Sequence, residues 1–255
     1  MFRKILIFLL SVILVSGCTS TTNNSNKTYD NEFITSLAKG LDNRWNDSKL
    51  NVESAANYEN LLKHELKEVD GYQDKKFKND KLKELAISYI NELKNGLEIT
   101  KEYGSSSWDT SWAKHQNKRY SIVSDIQNIQ EIPVKDTETL KELLAQGREV
   151  KSNSEKEEAL NALISPIKFE IDQEKSNEYS TTYYSVVENT TDYNIEELYI
   201  QVTLKDSDDV NYYSTYITPK NWKKNTKTRL EFTDFERKAK SFELNIQSYS
   251  ATKAE

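Results

Sequence analysis

The stretch ALNALISPIKFEID, residues 159–172, changes its hydrophobic period in the middle. Ala159, Leu160 and Leu163 recur with the three-to-four spacing of one buried helix face. Ile167, Phe169 and Ile171 alternate with Lys168, Glu170 and Asp172, the spacing of a half-buried strand. Ser165 and Pro166 stand between the two patterns. Proline has no amide hydrogen to give a helix, and it pushes the residue before it out of helical geometry, so the helix stops there. The switch divides the chain into an α part upstream and a β part downstream, an α+β architecture in two domains.

Working upstream, four stripes repeat the helical spacing. Phe33, Ile34, Leu37, Leu41 and Trp45 form the first, and Ala55, Tyr58, Leu61, Leu62, Leu66 and Val69 the second. Leu82, Leu85, Ala86, Tyr89, Ile90, Leu93 and Leu97 form the third, and Trp112, Ile122, Val123, Ile126 and Ile129 the fourth. Gly71 and Gly104 fall between stripes, where a helix ends at low cost. Pro133 closes the fourth region. Asp136 or Thr137 can cap a shorter helix carrying Leu140, Leu143 and Leu144. Ser154 with Glu157 fits a capping box that opens another ahead of Ala159. Residues 30–165 are therefore expected to be an antiparallel helical bundle.

Downstream, Leu198, Ile200, Val202 and Leu204 alternate with polar residues, as do Leu230 with Phe232, and Phe242 with Leu244 and Ile246. The tyrosine-rich runs at 179–187 and 212–217 add two more strands. Turn residues separate them at 188–192, 206–209 and 223–225. About six strands with no helix between them predict a small antiparallel β-sandwich over residues 166–250, with 251–255 as a tail.

The N-terminus has the layout of an export signal. Arg3 and Lys4 precede an apolar run, Ile5 to Val15, that is too short to span a bilayer, which takes about 20 residues. The run ends in Val15-Ser16-Gly17-Cys18, which contains the chain's one cysteine. This tetrad resembles the lipobox of bacterial lipoproteins. The resemblance implies removal of residues 1–17 and a diacylglyceryl group on the Cys18 sulfur. Two acyl chains supply the two signals that stable anchoring requires. Residues 18–29 then read as a disordered tether, with a mean span of about 18 Å and a reach of at most roughly 40 Å.

A second resemblance lies in the β part. The run VVENTTDYNIEELYIQVTLKDSDD, residues 186–209, is similar to the FxLYD-type sandwich domains of Gram-positive surface lipoproteins. Leu204 and Asp206 match the naming motif, whereas Val202 stands for Phe and Lys205 for Tyr. That family implies an extracytoplasmic sandwich without catalytic activity.

Charge and residue type restrict the chemistry. The formal charge is −6, which opposes nucleic-acid binding. Two histidines and no cysteine beyond Cys18 leave little material for a nucleophilic triad. His64 with Glu68 has a zinc-like spacing but no further ligand motif, and it reads as a solvated helix face. His115 reads as a surface or boundary residue, and no acidic residue sits in an unusual apolar setting that would raise its pKa. The cluster at Asp206, Asp208 and Asp209 lacks the glycine and terminal glutamate of an EF-hand and reads as a hairpin turn. No catalytic residue, metal or cofactor is assigned.

The candidate binding residues are aromatic: Trp108, Trp112 and Trp222. Trp108 and Trp112 share a face if the helix has begun by residue 107, either to hold a partner or sugar or to cap the bundle core. Trp222 lies among lysines in an expected loop. The sequence points to a lipid-anchored protein on the outer face of the membrane with a non-catalytic role in envelope protein interactions. A glycan or cell-wall ligand module and a small envelope hydrolase are the alternatives.

Overall fold

The computed structural model describes residues 27–236 and 239–255. The signal segment, Cys18 and the tether up to residue 26 lie outside the described residues. Five α-helices precede seven strands: α1 (Asp30–Trp45), α2 (Ala55–Val69), α3 (Asp80–Thr100), α4 (Trp108–Ile129) and α5 (Thr137–Ile164), with a 3-10 turn at Asp70–Tyr72. The strands are β1 (Glu170–Ile171), β2 (Thr181–Glu188), β3 (Tyr193–Lys205), β4 (Asn211–Ile217), β5 (Lys220–Trp222), β6 (Lys227–Asp234) and β7 (Ser241–Lys253). The chain is thus α+β, helices first and strands second.

The helices start where the sequence supplies caps. Ser54, Asn79 and Asp136 each accept a hydrogen bond from the backbone N–H three residues on, at Asn57, Leu82 and Thr139. The four apolar stripes converge on one core that includes Phe33, Leu37, Leu62, Tyr89, Leu93 and Ile126. Tyr29, placed at the end of the tether by sequence, already belongs to the folded body. Its amide donates to the Lys76 carbonyl, and its ring meets Tyr72 edge-on.

The capping box at Ser154 does not open a helix. Residues 137–164 form one helix of 28 residues, about 42 Å long. No proline interrupts the run, and its Lys, Glu and Ala residues favour helix, so propensity outweighs the local cap. Gly147, the weakest helix former of the run, is needed for packing. A Cβ there would stand 2.4 Å from the Tyr120 carbonyl oxygen of α4. Backbone cannot rotate aside, so Gly147→Ala should force α5 away from α4. A net loss of about 1–2 kcal/mol is expected in urea unfolding, despite alanine's better helix propensity.

At its C-terminal end α5 leaves the bundle core. Leu160, Leu163 and Ile164 pack instead with Ile195, Leu198, Ile200 and Trp222 of the β part. The Tyr249 hydroxyl donates to the Asn153 carbonyl at 3.2 Å and ties β7 to the same helix. One helix therefore serves both cores.

All strand pairs are antiparallel. One sheet has the order β1-β2-β6. The other has β4-β3-β5, with β7 pairing along the length of β3. The sheets face each other across Tyr183, Leu230 and Phe232 on one side and Val202, Leu204 and Ile217 on the other, making a sandwich. Three expectations are corrected. The strand at 167–172 shrinks to Glu170–Ile171, and the tail becomes part of β7, where Ala251 pairs with Ile195 and is buried. Trp222 lies not in a loop but in β5, 2% exposed, with its indole N–H donating to the Thr226 carbonyl. The aspartate turn is as expected. The Asp206 carboxylate accepts from the amides of Asp208 and Val210, and Asp209 adopts a positive φ of 62°.

The up-and-down path places the α1–α2 and α3–α4 connections at one end of the bundle. The entry at Tyr29 and the α2–α3 and α4–α5 connections lie at the opposite end.

Candidate functional site

Four aromatic rings meet at the bundle end formed by the α1–α2 and α3–α4 connections. The fourth helix begins at Trp108, one turn before Trp112, so both indoles fall on one face. Their rings stack at 5.1 Å with an interplanar angle of 16°. Tyr58, in the first turns of α2, lies 5.3 Å from Trp108 and 4.7 Å from Trp112. Tyr103, in the α3–α4 connection, meets Trp108 edge-on at 4.9 Å. Its hydroxyl donates to the Glu53 backbone carbonyl at 3.1 Å, pinning one connection to the other. Gly104 follows with a φ of 82°, a left-handed turn that favours glycine.

Trp108 is buried, Trp112 and Tyr58 are half-buried, and Tyr103 is 40% exposed. The cluster is graded from floor to rim and borders an open groove of about 440 Å³, within the usual range of small-ligand sites. Glu53, Ser105 and Asp109 complete its polar edge, and among the described residues no lysine or arginine lines it. Asp109 sits in the first turn of α4, and Glu53 stands just before Ser54, the N-cap of α2. The helix dipole stabilises a negative charge at both places. Burial raises the Tyr58 hydroxyl pKa, and Glu53, Tyr103 and Asp109 push it further in the same direction.

The structure brings Trp108 and Trp112 together and separates them from Trp222, whose burial in the sandwich withdraws it as a binding residue. Tyr58 and Tyr103 were not singled out by sequence. Tyr58 belongs to an apolar stripe, and Tyr103 lies in a loop with no periodicity. Trp112 also touches the bundle core and the His115 ring, 5.0 Å away, so the pair is both wall of the groove and cap of the core.

Behind the groove lies a polar interior. His115 is buried, contrary to its expected surface position, with Nδ1 2.8 Å from Glu92 Oε1. Gly96 makes room for its ring, since a Cβ there would fall 2.5 Å from His115 Cε1. Lys118 Nζ lies 3.0 Å from the other Glu92 oxygen. Deeper still, Glu65 is fully buried between two arginines. Arg44 Nη1 donates to Oε1 and Arg119 Nε to Oε2, each at 2.9 Å, and the Tyr89 hydroxyl donates to Oε2. Burial raises the Glu65 pKa, but the Arg119 and Arg44 charges outweigh it and hold the carboxyl below its ordinary value.

The carboxyls of Glu65, Glu92, Asp47 and Glu231 are all displaced downward in pKa. Such carboxyls suit ion pairs and turns; a general acid needs the opposite displacement. His64 is partly exposed on α2 with Nε2 2.8 Å from Asp47 Oδ2, a surface pair between neighbouring elements. No helix among the described residues is long and apolar enough to cross a membrane. Comparison with protein-family models, curated proteins and solved structures returns no match to this chain.

Proposed function

We propose that this protein is a lipid-anchored binding protein of the outer membrane face that works without catalysis, by engaging another protein of the envelope. The aromatic groove formed by Tyr58, Tyr103, Trp108 and Trp112 carries this reading. Tyrosine and tryptophan are the residue types that dominate interaction hot spots, because they offer large contact area with little rotamer freedom to lose. The lipobox-like Val15-Ser16-Gly17-Cys18 supplies the anchor.

A photo-crosslinking residue placed at position 103, on the rim of the groove, tests the role in intact cells. One discrete adduct is expected, stronger than any from exposed position 149 on α5. Cys18→Ala should leave the protein unprocessed or released and should weaken that adduct. No adduct at 103 beyond that at 149, or unaltered membrane retention and processing of the alanine variant, would contradict the reading.

A further inference from the structure

We infer that the groove holds the positively charged side chain, lysine or arginine, of a partner protein; this rests on the binding role proposed above. The first argument is charge. Glu53 and Asp109 border the groove, are exposed, and form no ion pair among the described residues. Several other surface carboxylates are answered by cations of the chain: Asp125 by Lys151, Asp192 by Lys224, Glu197 by Lys220. The groove is a place where the chain supplies the anions and leaves the cation to another molecule.

The second argument is the rings. An aromatic face attracts a cation through its quadrupole, most strongly for tryptophan. The four rings of the groove carry no lysine or arginine of this chain over their faces, among the described residues. At other places the chain fills the same arrangement from within. Arg229 lies 3.8 Å from the Tyr184 ring centroid while its Nε is 2.9 Å from Glu231 Oε2 and its Nη2 pairs with Asp172. Lys27 and Lys75 stand 4.6 and 5.2 Å from the Tyr29 ring. The groove repeats the ring-and-carboxylate half of the Arg229 site without its guanidinium.

The third argument is donor chemistry. Two carboxylates and the Ser105 hydroxyl are acceptors that reward N–H donors. Lysine and arginine carry such donors, whereas a quaternary ammonium does not. The chain's net charge of −6 adds long-range attraction for a basic partner.

The test uses full-length protein in detergent and end-blocked tripeptides Gly-Lys-Gly, Gly-Arg-Gly, Gly-norleucine-Gly and Gly-Glu-Gly, followed by tryptophan fluorescence. The lysine and arginine peptides should give saturable quenching that weakens with salt, and the other two should give none. Glu53→Gln with Asp109→Asn, both exposed, should leave the circular dichroism unchanged and weaken binding about fivefold or more. Equal response to the norleucine peptide, or binding indifferent to the double substitution, would overturn the charge assignment. So would saturable quenching by a wall oligosaccharide alone. A discrete crosslink from position 103 that excess lysine and arginine peptides do not reduce would sink this inference while sparing the binding role.

Discussion

Replacing Glu65 with leucine is expected to lower the stability of the bundle by about 3–5 kcal/mol, the cost of removing one partner from a buried ion cluster. The carboxylate is the common acceptor for Arg44, Arg119 and Tyr89, and all four groups are buried. Without it, two guanidinium charges face each other in an apolar core. Burial already lowers the Arg44 pKa, and the Arg119 charge lowers it further, so the repulsion is present in the native state, and Glu65 is first among the groups that offset it, ahead of Tyr89 and Tyr120. Urea unfolding of Glu65→Leu measures the loss. Adding Arg44→Leu and Arg119→Met should recover most of it, because a matched apolar core tolerates loss of the whole cluster better than loss of one member. Recovery would separate buried charge from simple cavity formation.

The same cluster sets a pH dependence. The Glu65 carboxyl titrates below 4.5 in the folded chain, and unfolding returns it to about that value. Its contribution is therefore complete above pH 4.5 and is lost as the pH falls through the lower folded value. Denaturation midpoints collected from pH 7 down to pH 3 should fall more steeply for the natural chain than for Glu65→Gln.

Trp222→Ala is expected to be the most damaging single change in the sandwich, again by about 3–5 kcal/mol. The indole fills the space between the end of α5 and the sheet around Ile195, Leu198 and Ile200. Its removal leaves a cavity and takes away one of the two hydrogen bonds that the Thr226 carbonyl accepts, the other coming from the Asn189 amide. Thermal unfolding reads the loss. The aromatic groove lies elsewhere, so Gly-Lys-Gly binding to the folded variant should be unchanged. Impaired peptide binding by a folded Trp222→Ala protein would show that the two parts are coupled more tightly than through α5 alone.

The division of the chain was legible because a change of period at Pro166 is a local signal. The helix start at Asp136 was legible for the same reason, since a cap acts within one turn; Ser54 and Asn79 cap in the same way but were not singled out. The buried charges were half legible. Glu65 lies on the line Tyr58, Leu62, Glu65, Val69, and His115 and Arg119 fill the gap between Trp112 and Ile122 on theirs. A charge at an apolar spacing marks a buried charge. Nothing local announces that residues 44, 65 and 119 meet, because that depends on how three helices cross. The groove divides similarly. Trp108 and Trp112 announce each other at one turn's separation, whereas Tyr58 and Tyr103 reach them through tertiary packing. Strand β5 was missed because three residues cannot display an alternation, and lysines beside Trp222 disguised a core position.

The up-and-down path of the bundle has a consequence for how the molecule stands. The chain enters at Tyr29, and the sixteen residues of α1 carry it about 24 Å before the connection that bears Glu53. If Cys18 is held in the bilayer, the helices rise from the lipid like a short mast. The aromatic groove would then lie at the end of the bundle away from the lipid, the end to which α5 also carries the sandwich.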